Sequence, residues 1–78
     1  MNVTVLFFGM LAEKTQTSNV ELITNANSVG DIEIEVMALF PALKNMTFKI
    51  AMNENIVSKE TKLQPESRLA FLPPFAGG

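Results

Sequence analysis

Ser28-Val29-Gly30-Asp31-Ile32-Glu33-Ile34-Glu35-Val36-Met37-Ala38-Leu39-Phe40-Pro41 reads two ways, and the choice between them decides the fold. Ile32, Ile34 and Val36 alternate with Glu33 and Glu35, as on a strand with one buried face. Val29, Ile32, Val36, Leu39, Phe40 and Leu43 also recur at helical spacing and make one apolar stripe. Length arbitrates, because the segment between Ser28 and Pro41 is long for a strand and ordinary for a helix. Ser28 is suited to cap the helix, and Asp31 favours the positive end of its dipole. Gly30 works against it by about 0.5–1 kcal/mol relative to alanine. The stripe is read as core.

On the N-terminal side of this helix, Val3, Val5 and Phe7 alternate with Thr4, Leu6 and Phe8, a strand apolar on both faces. Gly9 to Lys14 reads as a turn with at most a short helical piece, Leu11 and Ala12 pointing inward. Asn19 to Ile23 alternates again and pairs with the first strand as a hairpin. On the C-terminal side, Phe48, Ile50 and Met52 mark a third strand, Asn53-Glu54-Asn55 a turn, and Ile56-Val57 a short strand. Pro65 suits the first central position of a turn before the last strand, Arg68 to Leu72. The order is strand, strand, helix, strand, short strand, strand. That is an α+β fold of the β-grasp, ubiquitin-like kind, with a mixed sheet of about five strands and one main helix on one face. By parity the covered face takes Val3, Val5, Phe7, Leu69 and Phe71. Leu6, Phe8, Ala70 and Leu72 fall on the open face, which is expected to meet a partner.

The division expected is a domain over residues 1–72 followed by a C-terminal tail over 73–78. Pro73 and Pro74 cannot donate to a sheet ladder and favour extended geometry, so the sheet ends there and the tail projects. Fully extended, the tail reaches roughly 20 Å. Gly77 and Gly78 lack a Cβ, which makes the last backbone thin enough to enter a narrow channel.

Composition removes most alternatives for chemistry. Among 78 residues there is no Cys and no His, so thiol nucleophiles, disulfides and imidazole acid–base catalysis are absent from the chain. Asp31, Glu33 and Glu35 do not converge on a helix and read as a solvated face, so no metal site is expected. The glycines match no phosphate-binding loop. Six basic and eight acidic residues give a net charge of −2 without a basic cluster, which disfavours nucleic acid and anionic membrane. No apolar run is long enough to span a bilayer, and Asn2 to Phe8 lacks the pattern of a secretory signal, so a cytoplasmic location is expected. The content of charged residues, 18%, is low for a domain with so much surface. What remains reactive is the α-carboxylate of Gly78. It is inert until a partner converts an oxygen into a leaving group, for example by adenylation with ATP.

Val5-Leu6-Phe7-Phe8-Gly9-Met10-Leu11, Met52-Asn53-Glu54-Asn55-Ile56-Val57 and, most specifically, Leu69-Ala70-Phe71-Leu72-Pro73-Pro74-Phe75-Ala76-Gly77-Gly78 resemble the small subunit of molybdopterin synthase, a family of ubiquitin-like sulfur carriers. The resemblance covers nearly the whole chain. It implies that Gly78 is adenylated by an activating enzyme of the ubiquitin-activating type and becomes a thiocarboxylate. It implies that Pro73, Pro74, Phe75, Ala76 and Gly77 insert into the large synthase subunit of a heterotetramer. There the sulfur passes to cyclic pyranopterin monophosphate, and the large subunit supplies the catalytic side chains. By the same resemblance Phe8, Ile56 and Leu72 form the partner-facing patch, no cofactor is bound, and ATP is used by the activating enzyme. The thiamin thiazole carrier, a ubiquitin-like protein modifier and a plain interaction module are the alternatives. Asn53-Glu54, Pro65-Glu66-Ser67, Arg68 and Gly30 depart from the family's usual residues.

Overall fold

The computed structural model describes residues 1–74; Phe75, Ala76, Gly77 and Gly78, and the reading placed on them, lie outside the described residues. The elements are β1 (Asn2–Phe7), α1 (Met10–Thr15), β2 (Asn19–Ile23), α2 (Val29–Leu39), a 3-10 helix (Pro41–Asn45), β3 (Lys49–Met52), β4 (Asn55–Ile56) and β5 (Arg68–Leu72). The strands form one mixed sheet in the order β2-β1-β5-β3-β4. β1 and β5 run parallel at its centre, with Val5 opposite Leu69 and Phe7 opposite Phe71. The pairs β1–β2, β3–β5 and β3–β4 are antiparallel. The result is the β-grasp fold.

Two-residue alternation assigns the faces. Val3, Val5, Phe7, Leu69 and Phe71 are all buried, and they pack with Val29, Ile32 and Val36 of α2 and with Leu11 of α1. Fully burying an aliphatic or aromatic side chain of this size contributes about 1.5–3 kcal/mol, so this layer is the main source of stability. Phe71 is gripped by two rings, Phe7 edge-on at 5.6 Å and Phe48 stacked at 5.0 Å. That cluster lies under the end of the sheet where β1 and β5 both terminate.

α2 starts at its expected cap. The Ser28 hydroxyl accepts a hydrogen bond from the Asp31 amide at 3.2 Å. The amides of Val29 and Gly30 donate to the carbonyls of Thr61 and Lys59, both at 2.9 Å, so the loop after β4 satisfies donors that a helix start leaves free. This also accounts for Gly30. A Cβ there would stand 3.2 Å from the Lys59 carbonyl oxygen, so the glycine permits a close approach of helix and loop.

Three expectations need correction. α2 ends at Leu39, and Leu39 is 55% exposed instead of buried. Pro41 starts a 3-10 helix, and the changed winding carries Leu43 into the core while leaving Leu39 behind. β3 begins at Lys49, one residue after Phe48, whose ring serves the core from the preceding loop. The acidic residues of α2 are not a freely solvated face either. Glu35 accepts a hydrogen bond from the buried Thr24 hydroxyl, and Glu33 lies 3.8 Å from Lys59.

Candidate functional site

The face of the sheet opposite α2 carries the readings made for docking. Register places Leu6, Ala70, Ala51 and Ile56 in one row across β1, β5, β3 and β4. Ala70 and Ala51 are short, so the middle of the row sinks into a hollow of about 410 Å³. Leu6, Ala51 and Ala70 floor it, Phe8 borders it on the side where the tail leaves, and Asn53, Glu54 and Arg68 border it on the other. An apolar centre with a polar margin is the usual anatomy of a protein interface.

Each residue assigned to partner binding has a definite place. Phe8 follows directly after β1 and is 44% exposed. Ile56 closes the row on the edge strand β4 and is 59% exposed. Leu72 ends β5 opposite Lys49 and is half-buried. The structure therefore brings Phe8 and Leu72 together at the tail end of the face, with Ile56 at its far edge. Ala51 was not anticipated. Its signal is available, because it alternates with the inward-facing Ile50, and its small size deepens the hollow.

The tail base is built by the parallel pair. β1 and β5 end side by side, and the Phe8 amide extends their ladder by donating to the Phe71 carbonyl at 3.2 Å. Beyond Leu72, Pro73 lies against Gly9 and is partly buried, while Pro74 is exposed. On the opposite side of this base, Met10, Leu11, Met46, Pro73 and Pro74 line an apolar cavity of about 320 Å³.

The turn at the other end of the face is held tightly. Asn53 donates its amide to the Arg68 carbonyl at 3.0 Å, and its side-chain oxygen accepts from the Arg68 amide at 3.2 Å. Asn53 and Glu54 have φ of 49° and 76°, the two-residue hairpin geometry that favours Asn-Gly. Among the described residues no three His, Cys, Asp or Glu side chains gather as metal ligands, and no buried side-chain polar atom lacks a hydrogen-bond partner. The site is thus an apolar hollow with a polar margin, beside the point where Leu72 hands the chain to Pro73 and Pro74.

The model of the ThiS family matches residues 5–78. The chain belongs to the ThiS family. Among solved structures, small archaeal modifier protein 1 (SAMP1) from Methanosarcina acetivorans is 26% identical, with 99% of this chain and 96% of that one covered and a TM-score of 0.84. A chain from the complex of subunits 1 and 2 of the molybdopterin-converting factor from Helicobacter pylori is the second comparison. Here the identity is 26%, both chains are covered completely, and the TM-score is 0.72. SAMP1 from Haloferax volcanii shares the fold, with a TM-score of 0.86 over 100% of both chains at 20% identity. At this level the ThiS-family chain is a ubiquitin-like sulfur carrier or protein modifier. No helix among its described residues is long and apolar enough to cross a membrane.

Proposed function

We propose that this protein is a sulfur carrier acting as the small subunit of molybdopterin synthase. The observation that carries the proposal is the continuity of the apolar face, through Leu72, with the Pro73-Pro74 start of the tail. Docking of that face would aim the tail into the same partner. The complete coverage between this chain and a chain of the H. pylori complex supports a large-subunit partner of the same kind.

In this reading an activating enzyme uses ATP on Gly78. The carboxylate oxygen attacks the α-phosphorus, pyrophosphate leaves, and an acyl adenylate forms. Hydrosulfide delivered by the sulfur donor then attacks the carbonyl carbon, AMP leaves with the oxygen it was bonded through, a proton is released, and a thiocarboxylate remains. Phe8, Ile56 and Leu72 hold the large subunit, and Pro73 to Gly77 thread its channel. The transferred sulfur goes to cyclic pyranopterin monophosphate under side chains of the large subunit. This chain contributes docking, reach and the carried atom. Incubation with the activating enzyme, ATP and a sulfur donor should exchange one terminal oxygen for sulfur in the intact mass, and deletion of Gly78 should abolish the change. An unaltered mass under conditions that charge a related carrier refutes the proposal.

The likeness to SAMP1 from M. acetivorans favours a second reading, attachment of the activated C-terminus to lysine amines of other proteins. High-mass conjugates that survive denaturation and thiol treatment would select it.

A further inference from the structure

We propose that Gly9 is a positioning residue for the tail, setting the direction in which the chain leaves the sheet by giving the space of its missing Cβ to the ring of Pro73. The inference rests on the sulfur-carrier reading for its consequence and on geometry alone for its cause. Gly9 has φ 59° and ψ −134°, a combination in which a side chain is strained. A Cβ built there would lie 2.9 Å from Cγ of Pro73, closer than carbon atoms approach. Pro73 is the first residue past β5, where the sheet no longer constrains the chain.

The question is which side would yield. The backbone around Gly9 is pinned: the Phe8 amide is bonded to the Phe71 carbonyl, and the carbonyls of Phe8 and Gly9 accept from the amides of Leu11 and Ala12, both at 3.1 Å. The ring of Pro73 has no such ties. A methyl group at position 9 would therefore swing the tail base off its line while leaving the docking face in place. The docking residues and the reacting carboxylate are both untouched by this change, so its signature is kinetic. An activating enzyme that grips the carrier by the same apolar face keeps its affinity and loses productive placement of the C-terminus.

Wild type, Gly9→Ala, Pro73→Ala and the double variant should be compared in two assays. Residual dipolar couplings and the contact between Gly9 Hα and Pro73 Hγ report the orientation of residues 73–74 in the free protein. Steady-state adenylation separates kcat from KM for the carrier. Gly9→Ala is expected to reorient residues 73–74 and to lower kcat about tenfold, with KM within about threefold of wild type. In the Pro73→Ala background, which lacks the opposing Cγ, the same change should cost no more than about twofold. Unchanged couplings overturn the proposal, as does an equal loss in both backgrounds, which would trace to strain between β1 and α1. Should Gly9→Ala fail to fold, Pro73→Ala alone must lower kcat about threefold or more with KM retained, and an unchanged kcat refutes the seat. If wild type itself is not adenylated, the sulfur-carrier reading fails while the couplings still decide whether Gly9 seats Pro73.

Discussion

Replacing Phe8 and Ile56 by serine separates docking from folding. Phe8 keeps 44% of its surface exposed and Ile56 keeps 59%. A side chain of this size offers about 200 Å², so a partner that covers the face would bury roughly 100 Å² on each. At about 25 cal/mol per Å², each substitution should weaken binding to the large subunit by about 2 to 2.5 kcal/mol, roughly 30- to 60-fold in Kd. The two positions stand three strand spacings apart across the sheet, about 14 Å, far enough for their effects to add. The double variant should therefore lose about a thousandfold or more. The covered part of each side chain also serves folding, so each single variant is expected to melt below wild type while staying folded at 25 °C, where binding is measured. Titration calorimetry against the purified large subunit and thermal denaturation of the free protein give the two readouts. Ile23 supplies the control, because it is 89% exposed on the same face yet pairs with Asn2 at the end away from the tail. Ile23→Ser should change neither quantity. An undiminished affinity in the double variant, or equal loss in the control, would show that binding does not use this face.

Two further outcomes concern the fold. Glu54 and Glu66 have φ of 76° and 59°, left-handed values that penalise a side chain by about 1–2 kcal/mol. Glycine at either position gives back about 0.5–1 kcal/mol of that through unfolded-chain entropy. Glu54→Gly and Glu66→Gly are thus each expected to stabilise by about 0.5–1 kcal/mol, measured as a higher urea midpoint at constant slope. A lowered midpoint would contradict the turn assignment. Ser28→Ala removes the acceptor for the Asp31 amide and should destabilise by about 1 kcal/mol, a drop of about 4–8 °C in Tm; an unchanged Tm would mean the cap is replaced by another acceptor.

How much of this could be read from the chain depends on the range of the interaction involved. The alternation in β1 and β5 is local, and it sorted Val5 and Phe71 inward and Ala70 and Leu72 outward, as found. The start of α2 was legible because Ser28 and Asp31 are three residues apart and bond each other. Its end was not. Helical spacing continues through Leu39 to Leu43, and only the change of winding at Pro41 decides that one is exposed and the other buried. Gly30 looked like a defect within its own helix, and its reason lies in Lys59, distant in sequence. Gly9 is similar, since the atom that fills its space belongs to Pro73. Glu54 and Glu66 were hidden for the opposite reason: turn preferences ask for glycine there, and the chain accepts strain instead. For the site, Phe8, Ile56 and Leu72 were named in advance and lie on one face, whereas the hollow between them needed Ala51 and the pairing register to be seen.

The parallel pairing of β1 with β5 also has a consequence for biosynthesis. β5 is made after the other four described strands, yet it occupies the centre of the sheet, between β1 and β3. Until it arrives, β1 has only its hairpin with β2, β3 has only the short β4, and the two pairs have no ladder in common. A topology dominated by such non-local pairing nucleates late and folds slowly for its size. A chain interrupted before Leu69 therefore has no means of closing its core, and remains recognisable to proteases as unfinished. Closure of the core therefore waits for the same strand that leads into Pro73 and Pro74, so the docking face and the base of the tail are completed together.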